Sequence, residues 1–261
     1  SRTDTAQQAE KPKLKKESKD NGYRLVLRDL ASGSEDTVGY VKAYLHAEEG
    51  PRWLLHSTGD DSTFLPGVYR YDAAGLSPLF RGEGEYEQLT LSEDGQRAAF
   101  VADLDTTEAR IRPYGLYHWG EELDSARLAA GPEADFLPEA WLISQHAGLT
   151  FSRDGGRLFF GIAPPPILQD TSLLEEEIVN VEVWAYTDAR LHTQQKVRLE
   201  QEKKRSYACV YHIADGRAVQ LGREDIPEVD PGDEGNAPYA LGAQPEPYLR
   251  LLSWQGYPEC K

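Results

Sequence analysis

Few residues in this chain have the type and spacing that catalysis requires. A hydrolytic serine needs a G-x-S-x-G turn, which raises its hydroxyl between a strand and a helix, and no serine of the chain fits that pattern. His146 has no such nucleophile to activate, so we expect it to be a hydrogen-bonded histidine at the start of a strand. The sequence therefore predicts no catalytic residue.

Candidate metal and phosphate motifs are incomplete. The His46-Ala47-Glu48 triplet lacks the P-C-x-x-C partner of a zinc deaminase, and Asp230–Gly235 has carboxylates without the spacing of an EF-hand loop. Arg81–Tyr86 is glycine-rich, but its glutamates would repel phosphate, so we expect a turn that links two strands. Cys209 and Cys260 are too few for a zinc site. Cys209 is expected to be a small buried hydrophobic residue, and a disulfide between the two cysteines stays open. These patterns predict neither a metal nor a cofactor.

Acidic residues dominate the charge of the chain. There are 44 acidic and 28 basic residues, a formal net charge of −16, and such a surface repels phosphate backbones, so no nucleic-acid partner is expected. The run Glu175–Glu177 could hold an ammonium group by charge-assisted hydrogen bonds or form a solvated loop, and no site is assigned to it. No apolar run approaches the roughly 18 residues of a membrane-spanning helix. Residues 1–20 are polar and Lys-rich, and we interpret them as a charged linker.

A hairpin phrase recurs along the chain. Leu89–Phe100 and Leu149–Phe160 each alternate apolar and polar residues, turn at Asp94-Gly95 or Asp154-Gly155, and resume as an apolar run. Asp-Gly tolerates the positive φ of a tight hairpin turn, and the serine just before each turn can bond the local backbone. Tyr44–Leu55, which turns at Glu49-Gly50, is a weaker copy.

Two further strands follow each hairpin. The first is a short alternating strand that usually ends on an Asp/Gly turn, as in Tyr23–Gly33, Gly67–Gly75, Gly115–Trp119 and Tyr207–Gly216. The second is shorter still, as in Ser77–Arg81, Ala126–Ala130 and Ala218–Gly222. The unit is therefore four antiparallel strands, which predicts the blade of a β-propeller.

The repeats divide the chain into an all-β array of blades over residues 21–261. We predict a half blade over 23–40, blades over 41–84, 85–132 and 144–225, and a partial blade over 239–261. A β-sandwich is the alternative, but it does not explain why the same phrase recurs. Because a closed propeller needs about four blades, we expect an incomplete propeller. It should either self-associate through its exposed blade edges or form an open arc with irregular ends.

One blade is interrupted by an insertion over residues 163–206. Three prolines follow Ala163, and Leu191–Arg205 then has the Leu, Gln, Lys, Arg and Glu density of a helix. We predict an exposed, charged helix there. Insertions of this kind often carry interactions, although a strand pair extended beyond its blade is an equal alternative.

The repeats resemble those of known propellers. Leu149–Gly161 is similar to hairpins of bacterial prolyl oligopeptidase-family serine peptidases and of TolB/WD40-like propellers, and Val181–Arg198 with Lys204–His212 resembles an insertion of large secreted members of that peptidase family. The resemblance implies a non-catalytic propeller that caps a C-terminal α/β-hydrolase domain of the same parent chain and restricts the access of peptide substrates. It also implies a periplasmic or secreted location. A TolB-like scaffold that binds proteins, with no enzyme attached, is the alternative.

Overall fold

Antiparallel β-strands make up nearly all of the regular structure of this chain. The computed structural model describes residues 22–60, 64–107, 109–168, 185 and 187–250. The predicted linker over 1–20 lies outside these residues. The predicted all-β class is confirmed, because the chain is built from antiparallel sheets.

The first sheet contains five strands, each paired with the next along the chain. Alternating apolar residues place one row of side chains on each of its faces, as the period of a strand requires. The strands are β1 (Tyr23–Arg28), β2 (Glu35–His46), β3 (Trp53–Ser57), β4 (Gly67–Asp72) and β5 (Gly75–Arg81).

The second sheet is a four-stranded meander, the unit that the repeat predicts. Its strands are β6 (Glu85–Leu91), β7 (Arg97–Asp103), β8 (Gly115–Gly120) and β9 (Arg127–Ala130). All four lie within the range predicted for one blade, 85–132.

The third sheet is built around β12, with which both β10 and β11 pair. Its strands are β10 (Leu142–Ile143), β11 (Thr150–Phe151), β12 (Arg157–Ala163), β13 (Tyr207–His212) and β14 (Arg217–Gln220). The predicted insertion enters between β12 and β13. It contains the helix α1 (His192–Lys203), which has no buried residue, so the prediction of an exposed, charged helix is confirmed.

A two-stranded hairpin follows the third sheet. It consists of β15 (Glu228–Asp230) and β16 (Leu241–Ala243). The partial blade predicted over 239–261 includes β16 but not β15, and its bounds stay a prediction. Residues 251–261 lie outside the described part of the chain.

The sheets pack face to face, and β7 shows this most clearly. Ala98 and Phe100 point toward the first sheet and join the cluster that contains Leu54, whereas Ala99 and Val101 point toward the third sheet. Each of these four residues is fully buried, and a side chain such as Phe100 contributes about 2 kcal/mol or more when it leaves water. A sheet with both faces covered by neighbouring sheets is a propeller blade.

The predicted hairpin turns are confirmed. Gly95 and Gly155 both have φ of +65°, which residues with a side chain rarely adopt. The serine before each turn also bonds the backbone, since the Arg97 amide donates to Ser92 Oγ at 3.0 Å. In the third sheet the Arg157 amide donates to Ser152 Oγ in the same way, at 2.9 Å.

Arginines that follow these turns reach the next sheet along the chain. Arg52 Nη1 donates to the carbonyl oxygen of Asp94 at 3.3 Å, and Arg97 Nη1 donates to that of Gly155. Arg157 Nη1 donates to the carbonyl oxygens of Gly235 and Ala237, at 2.8 and 2.7 Å, in the loop between β15 and β16. We call these three contacts the turn clasps.

Strand β2 is bent, and the bend gives its two halves different neighbours. Tyr40, in the middle of β2, has φ of +60°. If β2 were straight, Asp36 would lie about 30 Å from His46. Trp53 pairs with His46 on one side and with Tyr71 on the other, so Tyr71 lies at the His46 end of β2. The Tyr71 hydroxyl nevertheless donates to Asp36 Oδ2 at 2.6 Å, which requires β2 to fold back.

The hairpin of β1 and the first half of β2 therefore lies over the outer face of the first sheet. Leu25, Leu27 and Val38 of that hairpin pack with Leu55 and Tyr69. The strand is continuous across the predicted boundary at residues 40 and 41, but its first half packs as a separate layer.

Candidate functional site

A cleft lies where the inner strands of the first two sheets meet. Two adjoining cavities there have volumes of about 420 and 270 Å³. Both are lined by Lys42, His56, Tyr86 and Glu87. We call this region the inner cleft.

His56 is the most unusual residue of the inner cleft. It is only 4% exposed, and its ring lies 4.9 Å from the ring of Tyr86. Burial, followed by the positive charge of Lys42, lowers its pKa from 6.5 to about 4. The imidazole is therefore neutral at neutral pH, and no hydrogen bond to it is formed within the described part of the chain.

Two tyrosines fix the wall formed by the second sheet. The Tyr86 hydroxyl donates to the carbonyl oxygen of Gly82 at 2.7 Å, and burial raises the pKa of that phenol. The Tyr114 hydroxyl donates to Glu85 Oε2 at 3.0 Å. Burial, and then this hydrogen bond, raise the pKa of Tyr114 as well. Both phenols therefore act as hydrogen-bond donors and not as bases.

A bulge in β6 shapes the floor of the inner cleft. The register of β6 against β7 shifts between Glu87 and Thr90, and Gln88 has φ of +52°. Such a bulge re-aims a side chain. Gln88 Nε2 donates to the carbonyl oxygen of Gln145 at 3.0 Å, which ties the inner edge of the second sheet to the segment that precedes β11.

The inner cleft is lined by hydrogen-bonding groups and by charges of both signs. Its carboxylates are those of Glu83, Glu85 and Glu87, and Lys42 is its cation. Neither a serine nor a cysteine lines the two cavities. Among the residues that the structure describes, no group of three His, Cys, Asp or Glu side chains is placed to hold a metal ion. These residues can bind a ligand through hydrogen bonds and ionic contacts.

The motifs considered in the sequence are scattered. His146 is exposed, and its backbone amide donates to Ser144 Oγ at 3.2 Å. The His46 ring packs against that of Trp53 in a tilted arrangement, with centroids 4.5 Å apart. Arg81–Tyr86 joins β5 to β6, as predicted for a linking turn.

Two further motifs have structural roles. Asp230–Gly235 forms the end of β15 and the start of the loop that receives Arg157. Cys209 is a free, buried thiol, as expected, and burial raises its pKa to about 12. Glu175–Glu177 and Cys260 lie outside the described residues.

Sequence reasoning did not identify His56. One signal was available: when the three turns are aligned on Arg52, Arg97 and Arg157, His56 falls at the position of Val101 and Gly161. A histidine at a position that the other blades fill with apolar residues is an exception to the repeat.

A second cavity, of about 660 Å³, lies between α1 and the segments that follow β14. Its walls carry charges of both signs, including Arg190, Arg198, Glu224 and Glu246. It borders the part of the insertion that lies outside the described residues.

The chain is similar to parts of several larger solved structures. An oligogalacturonate lyase in complex with manganese aligns over 81% of this chain and 45% of its own, with 14% identity and a TM-score of 0.40. Dipeptidyl peptidase 4 of Porphyromonas gingivalis aligns over 81% and 32%, with 17% identity and a TM-score of 0.42. The tricorn protease aligns over 87% and 28%, with 10% identity and a TM-score of 0.40.

This chain spans less than half of each of those proteins. Identities this low do not transfer an activity or a substrate. No family model matches the sequence, and no curated protein matches it significantly. In the described part of the chain, α1 is too short and too polar to be a membrane-spanning helix.

Proposed function

We propose that this chain is the non-catalytic propeller portion of a prolyl oligopeptidase-like serine peptidase, and that it caps a hydrolase active site and restricts the access of peptides. The observation that supports this role most directly is the inner cleft, two adjoining cavities bordered by the inner strands of stacked blades. Its lining residues can hydrogen-bond a peptide, and neither a serine nor a cysteine is among them.

The proposal includes the rest of the parent protein. In this proposal a C-terminal α/β-hydrolase domain of the parent chain supplies the reactive serine of a G-x-S-x-G turn. Peptide substrates approach along the inner strands, where the glutamates of the cleft disfavour acidic peptides by like-charge repulsion. The parent protein is periplasmic or secreted, and the blade ranges 41–84, 85–132 and 144–225 are its propeller repeats.

The first experiment compares this chain with the complete protein encoded by the same gene. We expect this chain to turn over proline-containing peptide reporters only at background rate and to take up no fluorophosphonate label. The complete protein should do both. If it carries no fluorophosphonate-reactive serine, the peptidase role is wrong and the scaffold alternative stands.

The second experiment tests gating in the complete protein. Glu87→Gln should raise kcat/KM for acidic reporters relative to neutral ones, because it removes one negative charge from the inner cleft. Glu139→Gln, at an exposed position far from the cleft residues in sequence, is the matched control. Equal effects of the two variants on the acidic-to-neutral ratio would contradict passage through this cleft.

A further inference from the structure

The outer face of the first sheet is equivalent to faces that are buried elsewhere in the chain. With the turns aligned, Trp53 and Leu55 of β3 correspond to Ala98 and Phe100 of β7 and to Leu158 and Phe160 of β12. In the second and third sheets these residues pack against the preceding sheet and are nearly inaccessible. The hairpin of β1 and β2 covers only part of the equivalent face in the first sheet.

An aromatic patch remains uncovered near the first hairpin turn. Tyr44 is 56% exposed, and its ring lies 6.1 Å from that of Trp53. His46, also exposed, packs against the same tryptophan with its ring tilted. Paired positions place Tyr44 opposite Leu55 and His46 opposite Trp53, so all four residues share the outer face.

The turn of the first sheet also differs from the later turns in its surroundings. A Cβ added to Gly95 would meet the side chain of Arg52 at 3.0 Å, and one added to Gly155 would meet Arg97 at 3.6 Å. These are the arginines of the turn clasps. Gly50 has the same positive φ, +86°, but an added Cβ there meets nothing within 4 Å.

One edge of strand β1 has no partner among the described strands. In the repeat it corresponds to β4, β8 and β13, each of which pairs with a strand on both sides. Among the described strands β1 pairs only with β2, and its Tyr23 is 80% exposed. An exposed strand edge of this kind accepts another strand through backbone hydrogen bonds.

In the repeat, β1 and the first half of β2 correspond to the third and fourth strands of a blade. The uncovered edge and face lie where the first and second strands of that blade would pack. We propose that the edge of β1 and the aromatic patch together bind a further β-hairpin, which we call the docking hairpin. It carries an arginine two residues after its turn glycine, and the guanidinium of that arginine donates hydrogen bonds to the carbonyl oxygens of the Glu48–Gly50 turn. The proposal rests on the propeller part of the proposed function and is independent of peptidase activity.

The docking hairpin is not supplied by a second copy of this chain. Arg52, Arg97 and Arg157 already donate to turns of their own chain. The hairpin of β15 and β16 has Ala237 two residues after Gly235, so it offers no guanidinium. The glutamates of the Glu48–Gly50 turn add a favourable charge for an incoming arginine.

The test uses the full chain and a synthetic probe. The probe is the cyclised peptide of residues 85–103, which contains the hairpin of β6 and β7 with its Arg97, labelled with fluorescein and followed by anisotropy. An otherwise identical peptide with Arg97→Ala is the control. We expect the parent peptide to bind and the alanine peptide to bind at least about tenfold more weakly, because a charge-assisted hydrogen bond is lost.

Variants of the chain locate the binding surface. Tyr44→Ala should weaken the parent peptide at least about threefold, since it removes exposed aromatic contact area. Tyr239→Ala, at a residue that is 86% exposed and distant in the fold from the first sheet, should leave binding unchanged. Equal affinity of the two peptides, no binding of the parent peptide, or no effect of Tyr44→Ala would overturn the proposal. So would a concentration-dependent dimer of the chain that Tyr44→Ala abolishes, because a second copy would then be the occupant.

Discussion

The guanidinium of Arg97 donates a hydrogen bond to the carbonyl oxygen of Gly155, a residue of the next sheet. The alkyl part of the same side chain lies beneath that turn, 3.6 Å from where a Cβ of Gly155 would stand. Apolar contact between sheets has no direction of its own, whereas a hydrogen bond does. The clasp therefore fixes how the third sheet is positioned along the second.

We expect Arg97→Ala to lower the free energy of unfolding by about 2 kcal/mol, because it removes a charge-assisted, part-buried hydrogen bond. Arg153→Ala is the control: its side chain is largely exposed and pairs with Glu234 at 3.5 Å, so it should cost less than about 0.5 kcal/mol. Urea denaturation of both variants measures the difference. Similar losses for the two would show that the clasp adds no more than a surface contact.

Gly155→Val should destabilise the protein by more than about 1 kcal/mol, because a β-branched residue is strained at φ of +65°. Gly148→Val is a matched control, since Gly148 has no positive φ and an added Cβ there has open space. Melting temperatures of the two variants provide the comparison. An unchanged melting temperature for Gly155→Val would refute the turn assignment.

Stability should fall on acidification through His56. Its pKa falls from the ordinary 6.5 of a histidine to about 4 in the fold because the ring is buried, so between these pH values the unfolded chain binds more protons than the folded one. The contribution is complete above pH 6.5 and is lost as the pH falls to 4, by about 2 to 3 kcal/mol.

The measurement is the free energy of unfolding at several pH values between 7 and 4. His56→Val should flatten this dependence relative to the parent protein, because the titrating group is removed. His146→Val changes an exposed histidine and should preserve the dependence. An identical pH profile for the parent protein and His56→Val would rule out the buried, neutral imidazole.

Asp103 and Arg112 form an ion pair in which Asp103 is fully buried. Arg112 also donates to the carbonyl oxygens of Asp105 and Thr107, at 2.9 and 2.7 Å. Arg112→Leu should cost about 3 kcal/mol, since it leaves a buried carboxylate without its cation. The double variant with Asp103→Leu should cost less than the sum of the single variants in a double-mutant cycle, and strict additivity would argue against coupling.

Sequence alone predicted those parts of the fold whose signal is local. The turns at Asp94-Gly95 and Asp154-Gly155 were recognisable because residue type, turn and alternation all agree within a dozen residues. The helix α1 was recognisable from composition for the same reason. The strand β15 (Glu228–Asp230) was not recognisable, because three residues cannot show the two-residue period of a strand.

The inner cleft and the turn clasps could not be predicted in this way. His56 lies between Leu55 and Ser57, and the surroundings that lower its pKa come from Lys42 and Tyr86, which belong to other strands. The partners of Arg97 and Arg157 depend on how sheets stack, and nothing within either hairpin indicates them.

The insertion between β12 and β13 leaves the blade itself undisturbed. These two strands stay in register from Arg157 opposite His212 to Ile162 opposite Tyr207, although residues 164–206 separate them. Closing a longer loop adds only about 0.6 kcal/mol for each doubling of its length. The segment between β12 and β13 can therefore be replaced by another during evolution. The chain can acquire new surface residues there while the core of the blade stays unchanged.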